Sequence, residues 1–268
     1  MPKTLFFKDK RLPFIELRYT KDSNLYYKPH FHQTFSIGAI EEGQVYFRIN
    51  NNEYTLQKEE IVLINPEIIH SCNPINNQNR SYYMLYLDKD WIYNLQKTLN
   101  CNIQNFAPFL KVLIKNSNLY NNFIVLSKNL LDSNIFLLEK EEILEAFILS
   151  IINQFCEFNK IQTIYEDINK VIKIKEYLKE NLTQNPTIDD ISKALNISRY
   201  HLIRLFKQST NITPHAYLLN LKVEYTKELL KSGMNIAEVA LSAGFNDQSH
   251  LNRVFKQITA CTPYEYKK

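Results

Sequence analysis

The chain lacks the residues that mark several classes of protein. Of its 268 residues only four are glycine, four are cysteine and one is tryptophan. The cysteines form no C-x-x-C pair, so we expect the reduced thiols of a cytosolic protein. No glycine-rich phosphate loop, pair of carboxylates or nucleophile with an adjacent base is recognisable, so the sequence indicates no enzyme class.

Long apolar runs are also missing. No stretch approaches about 18 uninterrupted apolar residues, and the N-terminus has no apolar signal-peptide core. We therefore expect a cytoplasmic protein without a membrane partner. Its length suits two domains that each bury a core.

The most informative pattern in the chain is an internal repeat. Residues 198–208 read SRYHLIRLFKQ, residues 247–257 read DQSHLNRVFKQ, and each copy is followed at the same distance by T-P-x-x-Y. The upstream segments match as well, but one residue closer together, so the second copy carries one extra residue in its turn. Self-similarity of this length indicates two copies of one supersecondary unit.

Each copy has the pattern of a helix-turn-helix. A short apolar helix is predicted to end at Asn196 in the first copy and at Gly244 in the second, because these residues enter the left-handed conformation cheaply. The next helix is predicted to begin after the N-cap Ser198 or Asp247. The second helix of such a unit can lie in a DNA major groove.

The outward faces of the two predicted recognition helices carry long polar side chains. The two copies carry the same basic residue at two outward positions, where packing does not require identical residues. These positions are Arg204 with Arg253 and Lys207 with Lys256. We therefore favour double-stranded DNA as partner, while a helical bundle with solvated charges stays open as the alternative. The exposed candidates are Arg199, Tyr200, His201, Arg204 and Lys207 in the first copy, and Gln248, Ser249, Asn252, Arg253 and Lys256 in the second.

A helix over residues 215–231, ended by Gly233, is predicted to join the two units. It would span roughly 26 Å at about 1.5 Å per residue. With the width of the two units added, this length suits recognition helices that lie about one DNA turn, roughly 34 Å, apart. Residues 1–165 balance in charge, so the net charge of +4 lies in the last hundred residues. This small positive charge agrees with a modest, salt-dependent contribution of phosphate contacts to DNA binding.

Residues from about 166 to 268 resemble the DNA-binding domain of the AraC/XylS family of bacterial transcription regulators. The run AGFNDQSHLNRVFKQ followed by CTPYEY is the most diagnostic stretch. The resemblance implies base contacts from positions that include Tyr200, Ile203 and Arg204. Ile203 departs from the polar residue often found there, so we expect it to contact a thymine methyl group or no base.

The N-terminal half predicts an antiparallel β-barrel. From Phe14 to about Leu87, short runs of β-branched and aromatic residues alternate with turn signals. The segment 29–32 is expected to place His30 and His32 on one face of a strand, and His70 follows later. These details resemble the cupin-like sensor domain found ahead of the DNA-binding domain in many AraC-family regulators.

The three histidines are the one cluster suited to chemistry. Catalytic cupins add a glutamate to such a set, but the positions where it belongs are Ser36 and Ile37. A three-histidine zinc site stays open as an alternative. We expect instead a pocket for a small-molecule effector with no metal and no cofactor. The candidates for its walls are Phe31, Phe35, Tyr46, Tyr82 and Tyr86, of which strand alternation lets only some face inward. The residues taken as effector-binding are His30, His32, His70, Tyr82 and Tyr86.

Between the halves, residues 106–160 have a helical pattern, with an apolar stripe over 143–155. The stripe suits packing on the barrel, and the resemblance implies a second use in pairing two subunits. Residues 160–170 are expected to form the hinge, followed by a helix over 168–182.

The sequence thus predicts an α+β multidomain protein that is not an enzyme. It comprises a cupin-like effector-sensing barrel (1–105), a helical connector (106–165) and an all-α domain with two helix-turn-helix units (166–268). Its expected partners are promoter DNA, an effector and a second copy of the chain, with RNA polymerase left open. Two rivals remain: a metal-dependent cupin enzyme with accessory helices, and a constitutive DNA-binding protein whose barrel only dimerises.

Overall fold

The structure is a computed structural model that describes residues 3–50, 52–156 and 166–267, apart from the side chains of residues 166–168 and Tyr200. The strands are β1 (Lys3–Asp9), β2 (Leu12–Ser23), β3 (Phe35–Glu42), β4 (Val45–Ile49), β5 (Asn52–Leu56), β6 (Glu60–Ile64), β7 (His70–Pro74), β8 (Arg80–Leu87) and β9 (Leu113–Lys115). The helices are α1 (Lys89–Leu99), α2 (Ser117–Leu131), α3 (Leu137–Phe155), α4 (Glu166–Glu180), α5 (Ile188–Leu195), α6 (Arg199–Thr210), α7 (Pro214–Lys231), α8 (Ile236–Ser242), α9 (Gln248–Thr259) and α10 (Pro263–Lys267).

The predicted fold class is confirmed. The strands form two antiparallel sheets, one in the order β1-β2-β8-β3-β6-β9 and one in the order β5-β4-β7. Alternate residues of the larger sheet face opposite ways, as strand geometry requires. Ile61 and Leu63 lie in the core shared with α1, α2 and α3, whereas Val62 and Ile64 face the smaller sheet. The smaller sheet and the helices therefore cover opposite faces of the larger one.

The segment between the halves is only partly helical, so the prediction for residues 106–160 needs correction. Leu113–Lys115 forms β9, which pairs with the edge of β6 through Ile61 and Ile114. A strand this short depends on a tertiary partner, and local periodicity does not reveal it. The helix α1, capped by the Asp88 side chain, was not predicted. Of the predicted hinge, residues 160–165 lie outside the described residues, and α4 begins at Glu166.

Both helix-turn-helix units form as predicted. Asn196 and Gly244 take the left-handed conformation with φ of 50° and 72°. The side chains of Ser198 and Asp247 accept hydrogen bonds from backbone N–H groups in the first turns of α6 and α9. The extra residue of the second copy is Asn246, which lies in the turn before α9.

The repeat extends into the packing of the two units. Phe206 and Phe255 are both 0% exposed. Phe206 meets Tyr217 edge to face at 5.4 Å between ring centroids, and Phe255 meets Tyr266 in the same way at 5.6 Å. The T-P-x-x-Y tyrosine thus closes the same core position in each copy. None of the helices in the described part of the chain combines the length and apolar character that crossing a membrane requires.

One position of the repeat carries backbone strain. The helix α6 ends at Asn211 with φ of 61°, and α9 ends at the matching Ala260 with φ of 56°. Alanine in this region costs about 1–2 kcal/mol, of which glycine recovers part. We expect Ala260→Gly to raise the free energy of unfolding by about 0.5–1 kcal/mol in urea titrations. Ala194→Gly, on the exposed face of α5, should lower it by a similar amount, and a loss for both variants would contradict the strain at Ala260.

Candidate DNA-binding surface and effector cavity

The recognition helices α6 and α9 present their candidate residues outward. Seven basic or polar candidates are exposed, as is Ile203 at 39%, whereas His201 and Asn252 are half-buried. The side chain of Tyr200 lies outside the described residues. The exposed basic and polar candidates are Arg199, Arg204, Lys207, Gln248, Ser249, Arg253 and Lys256.

The arrangement of the two units depends on a lysine in the middle of α7. The Lys222 ammonium donates to the backbone oxygen of Gly244 and to the side-chain oxygen of Asn185, and burial lowers its pKa to about 8. Gly244 is required for this contact as well as for its left-handed conformation, because a Cβ at this position would lie 2.9 Å from the Thr183 backbone oxygen. The turn of the second unit is therefore held against the segment that precedes the first unit.

A cavity of about 40 Å³ lies between the two sheets. The predicted residues His30, His32, His70, Tyr82 and Tyr86 all line it. The sequence reasoning missed Tyr27, whose hydroxyl bonds that of Tyr82. No motif marks Tyr27, because it belongs to an irregular segment that folds over the barrel.

Three aromatic residues considered as cavity walls lie elsewhere. Phe31 stacks on Tyr217 of α7 at 4.7 Å between ring centroids. Phe35 stacks on Phe109 at 4.3 Å in the core beneath the helices. Tyr46 is 49% exposed on β4. Of the five candidates, Tyr82 and Tyr86 line the cavity, because strand alternation and the approach of α7 decide which face each side chain takes.

The histidine segment is not a regular strand, contrary to the prediction. His30 forms an isolated bridge with His70, in which each backbone N–H donates to the other residue's oxygen at 2.9 and 2.8 Å. The side chains nevertheless alternate. His30 and His32 line the cavity, whereas Phe31 between them points to the C-terminal half.

The three imidazole rings are close and buried. Their centroids lie 4.5 Å apart for His30 and His70, 5.0 Å for His30 and His32, and 5.1 Å for His32 and His70. Burial lowers the pKa of all three, to about 4 for His70. The rings are therefore neutral at physiological pH. Within the described residues they form the one group of histidine, cysteine or acidic side chains placed to hold a metal ion.

The cavity wall continues into α7. The Nδ1 atom of His32 lies 3.6 Å from Oε1 of Glu224. Phe31 and Ile69 from the barrel side complete the apolar core of the first helix-turn-helix unit. The cavity wall therefore packs directly against the helix that joins the two units.

A second contact joins the barrel to the second unit. The Tyr266 hydroxyl donates to Oε2 of Glu16 at 2.6 Å, and the ammonium groups of Lys8 and Lys231 lie 3.6 and 3.5 Å from the same oxygen. Burial raises the pKa of Glu16, but the charges of these lysines and of Lys227, with the hydrogen bond from Tyr266, outweigh this and the net pKa is lowered. Arg18 donates to the backbone oxygen of Thr259 at the end of α9. Both helix-turn-helix units thus contact the barrel.

Two family models match the chain. An AraC-like ligand binding domain matches residues 13–147, and a helix-turn-helix domain matches residues 191–268. Among curated proteins, the HTH-type transcriptional regulator YbfI of Bacillus subtilis is 28% identical over 230 residues, which covers 83% of this chain and 80% of that protein. The regulator YdeC of the same organism is 24% identical over 262 residues, covering 91% and 87%.

Solved structures share the whole fold. Apo ToxT K231A from Vibrio cholerae superposes with a TM-score of 0.59 at 19% identity, covering 100% of this chain and 96% of that one. Wild-type ToxT from the same species with a bound unsaturated fatty acid gives a TM-score of 0.57 at 20% identity, covering 100% and 94%. At these identities the likeness shows the fold.

Proposed function

Because this chain belongs to the AraC family of transcriptional regulators, we propose that it reads promoter DNA through α6 and α9 under the control of an effector in the barrel cavity. The observation that carries the DNA-binding part is the repeated outward face of these helices. Arg204 and Arg253 are suited to bidentate contacts with guanine, and Lys207 and Lys256 to phosphate contacts. Arg199, whose Nε lies 3.1 Å from Oδ1 of Asp189, is positioned at the start of α6.

We divide the chain into an effector-sensing unit (1–105), a connecting unit (106–165) and a DNA-binding unit (166–268). The function proposed for all three is regulatory and not catalytic. The apolar stripe of α3 is buried in its own chain at Leu144, Ile148 and Ile151, so it is not free to pair subunits. We propose that a homodimer would use the outer faces of α2 and α3, where Val125 and Leu138 are 56% and 67% exposed.

The size of the cavity suggests how an effector acts. Pockets for organic ligands have volumes of about 300–1,000 Å³, whereas this cavity has about 40 Å³. An organic effector must therefore widen it. Since the wall at Phe31 and His32 packs on α7, widening would shift the contact between the barrel and the joining helix. A ligand that binds one arrangement better than the other changes the population of the two.

The test uses the full chain and its own promoter fragment. A panel of metabolites that includes carboxylic acids is screened by thermal shift, and active compounds are added to DNA titrations followed by fluorescence anisotropy. We expect preference for the promoter over random DNA at matched salt. We expect Tyr82→Phe to raise the effector concentration for half-maximal effect about fivefold, since a neutral hydrogen bond contributes about 1 kcal/mol.

Tyr46→Phe is the matched control, because Tyr46 lies outside the cavity and its loss of a hydroxyl should leave the response unchanged. Equal responses from the two variants would contradict the cavity as effector site. Equal affinity for promoter and random DNA would contradict sequence-specific recognition, whatever the effector does.

A further inference from the structure

We propose that His30, His32 and His70 bind one divalent transition-metal ion, and that Zn²⁺ suits the site best. One nitrogen from each ring lies within 4.8 Å of the others. Zinc with imidazole ligands at about 2.0–2.1 Å requires ligand nitrogens about 3.3 Å apart in a tetrahedral arrangement. The rings already line one cavity, and binding an ion would require their nitrogens to approach one another by up to about 1.5 Å.

The hydrogen bonds of two rings prepare them as ligands. Nδ1 of His30 lies 2.7 Å from the Lys28 backbone oxygen, and Nδ1 of His70 lies 2.9 Å from that of Ile68. A carbonyl oxygen only accepts, so Nδ1 carries the proton in each ring and Nε2 keeps its lone pair. This is the arrangement by which proteins fix the tautomer and orientation of histidines that bind metals.

The third ring, that of His32, has a buried nitrogen atom that makes no hydrogen bond. Nδ1 of His32 has no hydrogen-bond partner among the described residues. Glu224 of α7 places Oε1 3.6 Å from that atom and 2.7 Å from the Lys227 ammonium. The carboxylate offsets the charge of Lys227, which together with Arg18 opposes a positive charge at His32. The sequence favoured a metal-free pocket because Ser36 and Ile37 supply no carboxylate. The fold brings Glu224 from the other half of the chain next to His32, but the candidate ligand atoms are those of the three histidines.

The size and donor set of the cavity select the occupant. A water molecule needs about 10–15 Å³ by this kind of measure, so about 40 Å³ holds an ion with one or two waters without widening. Imidazole nitrogen suits Zn²⁺, Cu²⁺, Fe²⁺ and Ni²⁺, whereas Mg²⁺ and Ca²⁺ prefer oxygen. Three protein ligands also leave a coordination position open toward the cavity.

The proposal is tested on the full chain in the absence of DNA. After chelator treatment and dialysis, Co²⁺ is titrated while the visible absorption bands of tetrahedral cobalt are recorded, and Zn²⁺ is added to displace it. We expect saturation near one equivalent and loss of the bands with zinc. His30→Asn and His70→Asn keep a donor near the Nδ1 position but remove Nε2. Each should weaken binding by about 100-fold or more, above the 10–100-fold typical of outer-shell changes.

His215→Ala is the control, since His215 is exposed on α7 away from the cavity and its loss should leave cobalt binding unchanged. Near-ultraviolet circular dichroism confirms that the variants are folded. Binding well below one equivalent by the wild-type chain overturns the proposal, and so do cobalt bands that persist in the His30→Asn, His70→Asn double variant. Because no DNA is present, either result leaves the DNA-binding proposal to its own experiment.

Discussion

Replacing Phe206 or Phe255 by alanine is expected to lower the free energy of unfolding of the surrounding helix-turn-helix unit by about 3–5 kcal/mol. Each ring is 0% exposed and meets a tyrosine edge to face. Truncation therefore removes a large, fully buried apolar side chain and leaves a cavity between the crossed helices. Such a loss is comparable to the whole stability of a small unit.

The measurement is urea unfolding of the full chain, followed by far-ultraviolet circular dichroism. Ile203→Ala is the control on the same helix as Phe206, and its exposed position predicts a change within about 0.5 kcal/mol. We expect both phenylalanine variants to lose a helical transition that the control retains. An unchanged midpoint for either would mean that the equivalent packing of the two copies does not hold.

Arg204→Ala and Arg253→Ala are each expected to weaken promoter binding by about 1–3 kcal/mol, which corresponds to about 5–150-fold. Both side chains project from the outward faces of α6 and α9, where a guanidinium can reach a guanine edge. The readout is anisotropy at matched salt with promoter and with random DNA. Loss of a base contact should lower the preference between the two sequences.

Two comparisons separate base reading from phosphate contact. Lys207→Ala should weaken binding to both sequences alike and reduce the dependence of affinity on salt. Arg48→Ala serves as the control, since Arg48 pairs with Glu53 at 2.6 Å on the barrel surface. Promoter affinity equal to that of the wild-type chain in either Arg204→Ala or Arg253→Ala would show that this arginine does not read a base.

The helix-turn-helix units could be predicted closely because their signals are local. A cap at Ser198, a left-handed residue at Asn196 and apolar spacing at 3.6 residues all lie within one short segment. Having the pattern twice removed the ambiguity of each single copy. Local signals did not indicate the strained Ala260, where the first copy has Asn211.

The cavity could be predicted only in part, because its closure depends on contacts between distant segments. His30, His32 and His70 share a residue type, and that made them visible together. Glu224 lies in the other half of the chain, and no spacing rule relates it to His32. The position of Phe31 could not be predicted for the same reason, since an approaching helix and not the strand pattern decides where that ring packs.

The bonds from Lys222 to Gly244 and Asn185 bear on the operator as well as on the protein. A linker free to bend would let the two recognition helices follow half-sites at variable separation. With the second turn fastened to the segment before the first unit, the rotational phase between the helices is set by the protein. One base pair inserted between half-sites rotates one of them by roughly 34° around the duplex. We expect the DNA to absorb that rotation by twisting or bending, so that the deformability of base pairs the protein does not touch would affect its affinity.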